Sequence, residues 1–471
     1  MLKKLLCLVS ALTLVCSAAA CGKTNTSSST SDDVNIDGFM NYKGGVASID
    51  KSDDGVNVTV DTPETPSRKK SILESKNYNG KKFKILYWYT PDDSVKRTIE
   101  AFNKAHNAKL ELVITSDELD VAMAKSIAAG DPYDVVAAHG NYFPQSIFQN
   151  LYEPLESYIS EEDMFNSSNY DAGGLSKLVN DRFAYNGHYY ALGSHKSCYL
   201  QLCYYNKKMF MEAGLEDPWE LYKKGQWTWD KVLEQGKKVT DIANGKAYWS
   251  IYSLVEYANL NGVSGIKFEN NTYSENIASA DMIKCAQEYQ ALYKGNSPIG
   301  IYKDSGDEFS NGNVYMIMNT TDSYTFYFDF AKNSTAFAKD GYNMGVVPVP
   351  YGPHNTQKTY SSLSAQGYGS TRGAKDPSIA ACYALFESKY VDNSSTKKRV
   401  PQAVLDAVQK NFATNPFIGY TGFKDSSGKS YTSVMFEIGQ KIIRDGADPV
   451  STINNNRQVV QNCITNSVSN K

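Results

Sequence analysis

From residue 83 onward, apolar positions fall into short runs that alternate with helical repeats. The run 83–89 (FKILYWY) is apolar on successive positions and predicts a buried strand. Val95, Ile99 and Phe102 recur at helical spacing, so 93–106 predicts a helix. Residues 109–114 alternate and predict a strand. Val121, Ala124, Ile127 and Ala128 predict a helix over 117–129 that Gly130-Asp131-Pro132 stops. A further buried strand is expected at 134–138 (DVVAA). Strand–helix–strand–helix–strand is the order of a right-handed parallel α/β unit. Ligands of such sheets bind outside the carboxyl ends of the strands, here 88–92 and 139–142.

Asn186-Gly187 lies between two short strand-like runs and predicts a hairpin. A strand follows at 200–205, then a helix from Asn206 that stops at Gly214. Thr228 is placed to cap a helix over 229–239, and Ser274 to cap a long one ending at Tyr293. Strands are expected at 314–318 and 343–347, with an aromatic-rich segment at 324–330 between them. The last third reads as helices over 377–390, 397–410, 431–445 and 449–468, the last opening on Asp448-Pro449. No internal repeat is evident, and no apolar run near 20 residues follows the first 20.

The N-terminus carries a different pattern. Lys3 and Lys4 precede an apolar stretch at 5–15 and the small residues Ser17, Ala18, Ala19 and Ala20, the layout of a secretory signal over 1–20. Ala18-Ala19-Ala20-Cys21 resembles a bacterial lipobox, with Ala18 where Leu is usual, and implies that Cys21 becomes the acylated first residue. A plain cleaved signal is the alternative. Residues 22–75 are rich in Ser, Thr, Asn, acidic residues, Gly and Pro, and read as a disordered tether. The chain of 471 residues carries 48 Lys+Arg against 51 Asp+Glu, a net charge of −3, which leaves no basic footprint for nucleic acid. Five cysteines follow Cys21, none in a Cys-x-x-Cys spacing, so no disulfide framework is expected. Cys198 and Cys203 sit at an odd offset on one strand and point to opposite faces.

Several motifs together carry a family resemblance. Gly225-Gln226-Trp227-Thr228-Trp229-Asp230, followed by Leu233, is the most specific. Tyr133-Asp134-Val135-Val136 precedes Leu151-Tyr152-Glu153-Pro154-Leu155. Tyr190-Ala191-Leu192 and Tyr205-Asn206-Lys207-Lys208-Met209-Phe210 follow, then Gly312-Asn313-Val314-Tyr315-Met316 and Gly345-Val346-Val347-Pro348-Val349-Pro350. In this order they resemble the extracellular solute-binding proteins of carbohydrate ABC transporters, solute-binding family 1, which are maltose-binding-protein-like. The resemblance implies an α/β, two-lobed, periplasmic-binding-protein-like (type II) fold with a hinge and an interlobe ligand cleft. Lobe 1 would be 76–196 plus 366–415, lobe 2 would be 197–365 plus 416–471, and the strand 199–205 would be a crossing between them.

A saccharide offers an apolar C–H face and a rim of hydroxyls, so its site needs an aromatic plane with polar side chains at the edges. Trp88 and Asp92 follow the first strand, and His139 and Asn141 follow the third. The resemblance adds Tyr199 and Tyr252, then Asn319, Asp322 and Tyr324 after the 314–318 strand, and Gln366 and Tyr368 in a Gly-rich strand end. For that last pair the competing reading is a turn needing unusual backbone angles. Trp227 and Trp229 belong to a helix start and are expected to be structural.

The function implied is a lipid-anchored receptor, a monomer on the extracellular face of a bacterial membrane. It would capture a carbohydrate ligand and deliver it to ABC transporter permease subunits. The same fold binding a peptide or polyamine, or serving as a surface sensor or adhesin, is the alternative. No Gly-x-Ser-x-Gly, P-loop or His-Glu-x-x-His is present, the five histidines show no metal-like pairing, and no cofactor or enzymatic activity is expected.

Overall fold

The computed structural model describes residues 47–52, 55–60, 72–165, 174–250, 253–269, 272–296, 298–300, 305–334, 336–337, 344–356, 358, 362–390, 400–410 and 422–469. The signal sequence and Cys21 lie outside the described residues. Within the stretch expected as a tether, Ala47–Ser52 and Gly55–Val60 pair antiparallel.

Strands β1 (Lys82–Tyr87), β2 (Lys109–Ile114) and β3 (Val135–His139) run parallel, with β1 central. Helices α1 (Asp93–His106) and α2 (Leu119–Ala128) make the two crossovers. The apolar run of β1 is used on both faces. Phe83, Ile85 and Tyr87 enter one core with Phe102 of α1, and Leu86 enters the other. Asp92 starts α1 by accepting the backbone N–H groups of Ser94 at 2.9 Å and Val95 at 3.3 Å, an N-cap.

The long strand β4 (Cys198–Asn206) leads into a second group. There β5 (Ala247–Ser250) lies parallel to β6 (Val314–Thr320), while β6 and β7 (Met344–Pro348) each pair antiparallel with β4. The last strand, β8 (Ser362–Thr371), has two sets of partners. Ser362 to Ala365 pair with Leu200 to Cys198 of β4, and Gln366 to Gly369 pair with His139 to Val136 of β3. Among the described residues one ten-stranded sheet results, ordered β5-β6-β4-β8-β3-β1-β2, with β7 also on β4 and two-residue strands at Tyr152–Glu153 and Ala191–Leu192 on β8. The β4–β8 register slips between Tyr199 and Leu200. Such a bulge bends a strand and re-aims its side chains.

The helices of the second group explain the most specific sequence motif. Thr228 caps α3 (Trp229–Val239) by accepting the Lys231 N–H at 3.3 Å. Trp227 Nε1 donates to the Pro348 carbonyl at 3.0 Å, fastening the helix start to β7. Trp229 packs 5.7 Å from Trp249 and 5.5 Å from Tyr257, which lie on β5 and α4 (Leu254–Leu260). Both tryptophans are structural. Gly345 stands opposite Tyr205 in the β4–β7 register, and an added Cβ would come within 2.1 Å of that ring.

One expected cap is wrong. Ser279, not Ser274, caps α5 (Ala280–Lys294). Ser274 lies in Thr272–Glu275, which pairs with Ile266–Glu269, and Tyr273 is held there 4.4 Å from Phe268. The remaining major helices are α6 (Tyr324–Asn333), α7 (Ser378–Lys389), α8 (Gln402–Gln409), α9 (Tyr431–Ile443) and α10 (Pro449–Ser469). The described cysteines Cys198, Cys203, Cys285, Cys382 and Cys463 are free and buried. Among the described residues, no helix is long and apolar enough to cross a membrane.

Candidate functional site

Four of the sequence-selected residues meet where β1, β3, β8 and β4 come together. Trp88 follows the carboxyl end of β1 and lies 5.2 Å, edge to face, from His139 at the end of β3. His139 lies 6.0 Å from Tyr199 on β4. Gln366 of β8 stands directly opposite His139 in the strand register, and its Oε1 accepts the Tyr199 hydroxyl at 3.0 Å. Directly opposite residues of an antiparallel pair share one face of the sheet, so the ladder itself brings Gln366 beside His139. The cluster therefore spans the seam between the two strand groups.

Its electrostatics are those of a neutral polar site. Burial drives the His139 imidazole down to about 3, and the nearby Arg182 guanidinium adds to the effect. His139 is thus neutral at physiological pH. Its Nδ1 accepts the Asn141 N–H at 3.3 Å, which places the ring proton on Nε2. Arg182 is itself buried, and desolvation lowers it to about 10. Trp88 Nε1 is shielded from solvent and makes no hydrogen bond. A buried indole N–H ordinarily finds an acceptor.

The other selected residues are placed differently. Asp92 is half-buried, and its Oδ1 takes three donors: the Ser94 and Val95 amides and the Ser94 hydroxyl at 2.6 Å. The helix start claims this carboxylate. Asn141 sits half-buried in the turn Gly140–Tyr142. Asn319 donates to Tyr327 Oη at 2.8 Å and accepts the Thr320 amide at 2.8 Å and the Ser323 hydroxyl at 3.1 Å, so it secures its own turn. Tyr324 opens α6 with its ring 6.2 Å from Tyr204. That turn reaches the seam through Thr321, whose Oγ1 donates to the Cys198 carbonyl at 3.3 Å. Asp322 lies in the same short turn, its side chain outside the described residues, and Tyr252 is outside them altogether.

Tyr368 packs in a core rather than in this cluster. It is 6% exposed within the core of the first strand group, its hydroxyl 3.3 Å from Tyr87 Oη and its ring 4.8 Å from Tyr383. Packing between β1 and α7 draws it inward. The glycines around it serve close approach rather than unusual angles. A Cβ on Gly369 would meet the Tyr190 carbonyl at 2.6 Å, and one on Gly367 the Phe183 ring at 3.0 Å. Arg182 was missed by sequence reasoning. It sits in a hairpin flank whose only visible signal is Asn186-Gly187. Among the described residues, no group of three His, Cys, Asp or Glu side chains could hold a metal ion.

Comparison with known families matches residues 88–380 to the bacterial extracellular solute-binding proteins. No curated protein sequence matches the chain. Among solved structures, an ABC substrate-binding protein from Listeria monocytogenes in complex with cycloalternan is similar with a TM-score of 0.60 at 17% identity, covering 81% of this chain and 98% of that one. The galacto-N-biose-/lacto-N-biose I-binding protein of a Bifidobacterium longum ABC transporter, in complex with lacto-N-biose, gives 0.59 at 13% identity over 84% and 97% of the two chains. An ABC transporter solute-binding protein from Agrobacterium radiobacter K84 in complex with ribitol gives 0.59 at 14% identity over 82% and 99%. At these identities the likeness establishes the two-lobed fold.

Proposed function

Because the chain belongs to the bacterial extracellular solute-binding protein family, we propose that it captures a sugar or oligosaccharide at the Trp88–His139–Tyr199–Gln366 cluster. The observation that carries this reading is the unpartnered, shielded Trp88 Nε1 beside a neutral histidine, on the seam between the two strand groups. An indole plane suits the C–H face of a pyranose. The indole N–H, the His139 Nε2–H and the Gln366 amide suit hydroxyls. Asn141 and Tyr324 are proposed as further ligand contacts.

The proposed lobes, 76–196 plus 366–415 and 197–365 plus 416–471, divide where β8 switches from β4 to β3 at Ala365 and Gln366, except that α8 packs against β7 and its Ala407 carbonyl accepts the Tyr222 hydroxyl at 3.5 Å, so it joins the second lobe. Closure is a hinge motion about the β4–β8 crossing, where the bulge at Tyr199 absorbs the bend. Ligand favours the closed form because only that form contacts it from both lobes. Cys21 carries the lipid that holds the receptor at the extracellular face of the membrane. Permease subunits of an ABC transporter receive the sugar from it.

Thermal unfolding against mono- and oligosaccharides, with polyamines and peptides as controls, tests the ligand class. A ligand at 100 times its Kd adds about 2.7 kcal/mol to the folded state. A melting shift with a saccharide supports the reading; a shift with a polyamine or peptide alone overturns it.

A further inference from the structure

Lys424 joins the two strand groups beside the candidate site. Its backbone belongs to the second group. Its N–H donates to Ser467 Oγ at 2.9 Å and its carbonyl accepts Asn466 Nδ2 at 3.1 Å, both on α10, which packs with α9 on α5. Its side chain reaches the first group, with Nζ 3.5 Å from Asp120 Oδ2 and 3.7 Å from Glu118 Oε2. Nζ also stands 5.5 Å from the centre of the Tyr142 ring, and the Tyr142 hydroxyl donates to Glu118 at 3.0 Å. Two residues earlier, the Gly422 N–H donates to the Phe143 carbonyl at 3.1 Å. A Cβ at 422 would meet the Tyr142 carbonyl carbon at 2.5 Å, so glycine permits this approach. These contacts hold the turn Gly140–Tyr142, whose Asn141 amide donates to His139 Nδ1 and keeps the ring proton on Nε2. Glu118 and Asp120 follow β2 and Tyr142 follows β3, so all three stand at the carboxyl end of the first strand group, the end that carries Trp88 and His139. Widening the space at that end draws Lys424 away from both carboxylates. The side chains of Asp120 and Lys424 are 9% and 20% exposed, so solvent screens this pair less than one on an open surface.

We propose that Lys424, with Asp120 and Glu118, is an interlobe latch and a positioning residue for ligand capture: it holds the lobes together at the ligand end and fixes the turn that sets the His139 donor. This rests on the two-lobed saccharide reading given above. The latch biases the hinge toward the closed form before any sugar contact is made, and affinity rises with the fraction of protein in that form. A neutral sugar carries no charge to screen, so the latch gives binding a salt dependence that direct sugar contacts do not.

The test is calorimetric titration of wild type and Lys424→Met, which keeps an apolar stem, with lacto-N-biose, maltose, cycloalternan and ribitol. Each is run at low salt and at about 1 M, where the screening length falls to about 3 Å. At low salt the variant should bind about threefold or more weakly than wild type. Wild type should lose a similar factor at high salt, while the variant changes little. Without sugar, small-angle scattering should give the variant the larger radius of gyration. Equal affinity of the two proteins overturns the latch and leaves the saccharide reading standing. Binding of none of the four by wild type overturns the saccharide reading, and the sugar-free radii then decide the latch: a larger radius in the variant supports it, and equal radii overturn it. Should Lys424→Met fail to fold, Glu118→Gln, at an exposed position, is read by the same affinities and radii.

Discussion

Replacing His139 by glutamine removes a group whose burial makes acid stability depend on it. Its imidazole, 4% exposed, is pushed from 6.5 to about 3, first by desolvation and then by Arg182. The folded state therefore resists protonation that the unfolded chain accepts. Above about pH 6.5 neither state binds the proton and the contribution is fully present. As pH falls toward 3 the unfolded state binds more protons, and stability drops at up to about 1.4 kcal/mol per pH unit. Between pH 7 and pH 5 this one group accounts for about 2 kcal/mol. Urea unfolding of wild type and His139→Gln at pH 7, 6 and 5 measures it. Other titrating groups are common to both proteins and cancel in the difference. Wild type should lose about 2 kcal/mol more than the variant across that range. A difference that stays constant with pH would refute the claim that His139 is held neutral by burial.

Tyr199→Phe removes the hydroxyl bond to Gln366 and should weaken saccharide binding several-fold by calorimetry, with Trp88→Ala losing about tenfold or more. Asp92→Ala should cost about 1 kcal/mol in urea unfolding through loss of the α1 cap, and leave saccharide affinity within a factor of two. Gly345→Ala forces a Cβ into the Tyr205 ring and should destabilise the fold by about 1–3 kcal/mol in denaturant titrations.

The first strand group was legible because its signals are local. Apolar runs and helical spacing marked β1, α1, β2, α2 and β3, and the strand-end rule then pointed to Trp88 and His139. The crossing was not local: Tyr199 and Gln366 entered through family wording, and only the β4–β8–β3 register explains why they meet. Tyr368 also entered through family wording. It shares a strand face with Gln366, yet Tyr87 and Tyr383 enclose it, which no pattern within β8 reveals. Asp92 was chosen for its position at a strand end, and that position is also a helix N-cap, a competition that Ser94 settles. Lys424 and Asp120 lie in distant parts of the chain and carry no shared motif, so their pairing depends on the two strand groups meeting.

The central claim is that ligand binds at the seam cluster, and the indole N–H of Trp88 reports on it directly. Nitrogen-15 spectra of the protein contain one indole signal for each of its 5 tryptophans, and Trp88→Phe assigns the one at the site. On titration with a saccharide that raises the melting temperature, the Trp88 signal should move downfield and saturate at the calorimetric Kd, as its N–H gains an acceptor. A saccharide that binds while the Trp88 signal stays in place would contradict the account.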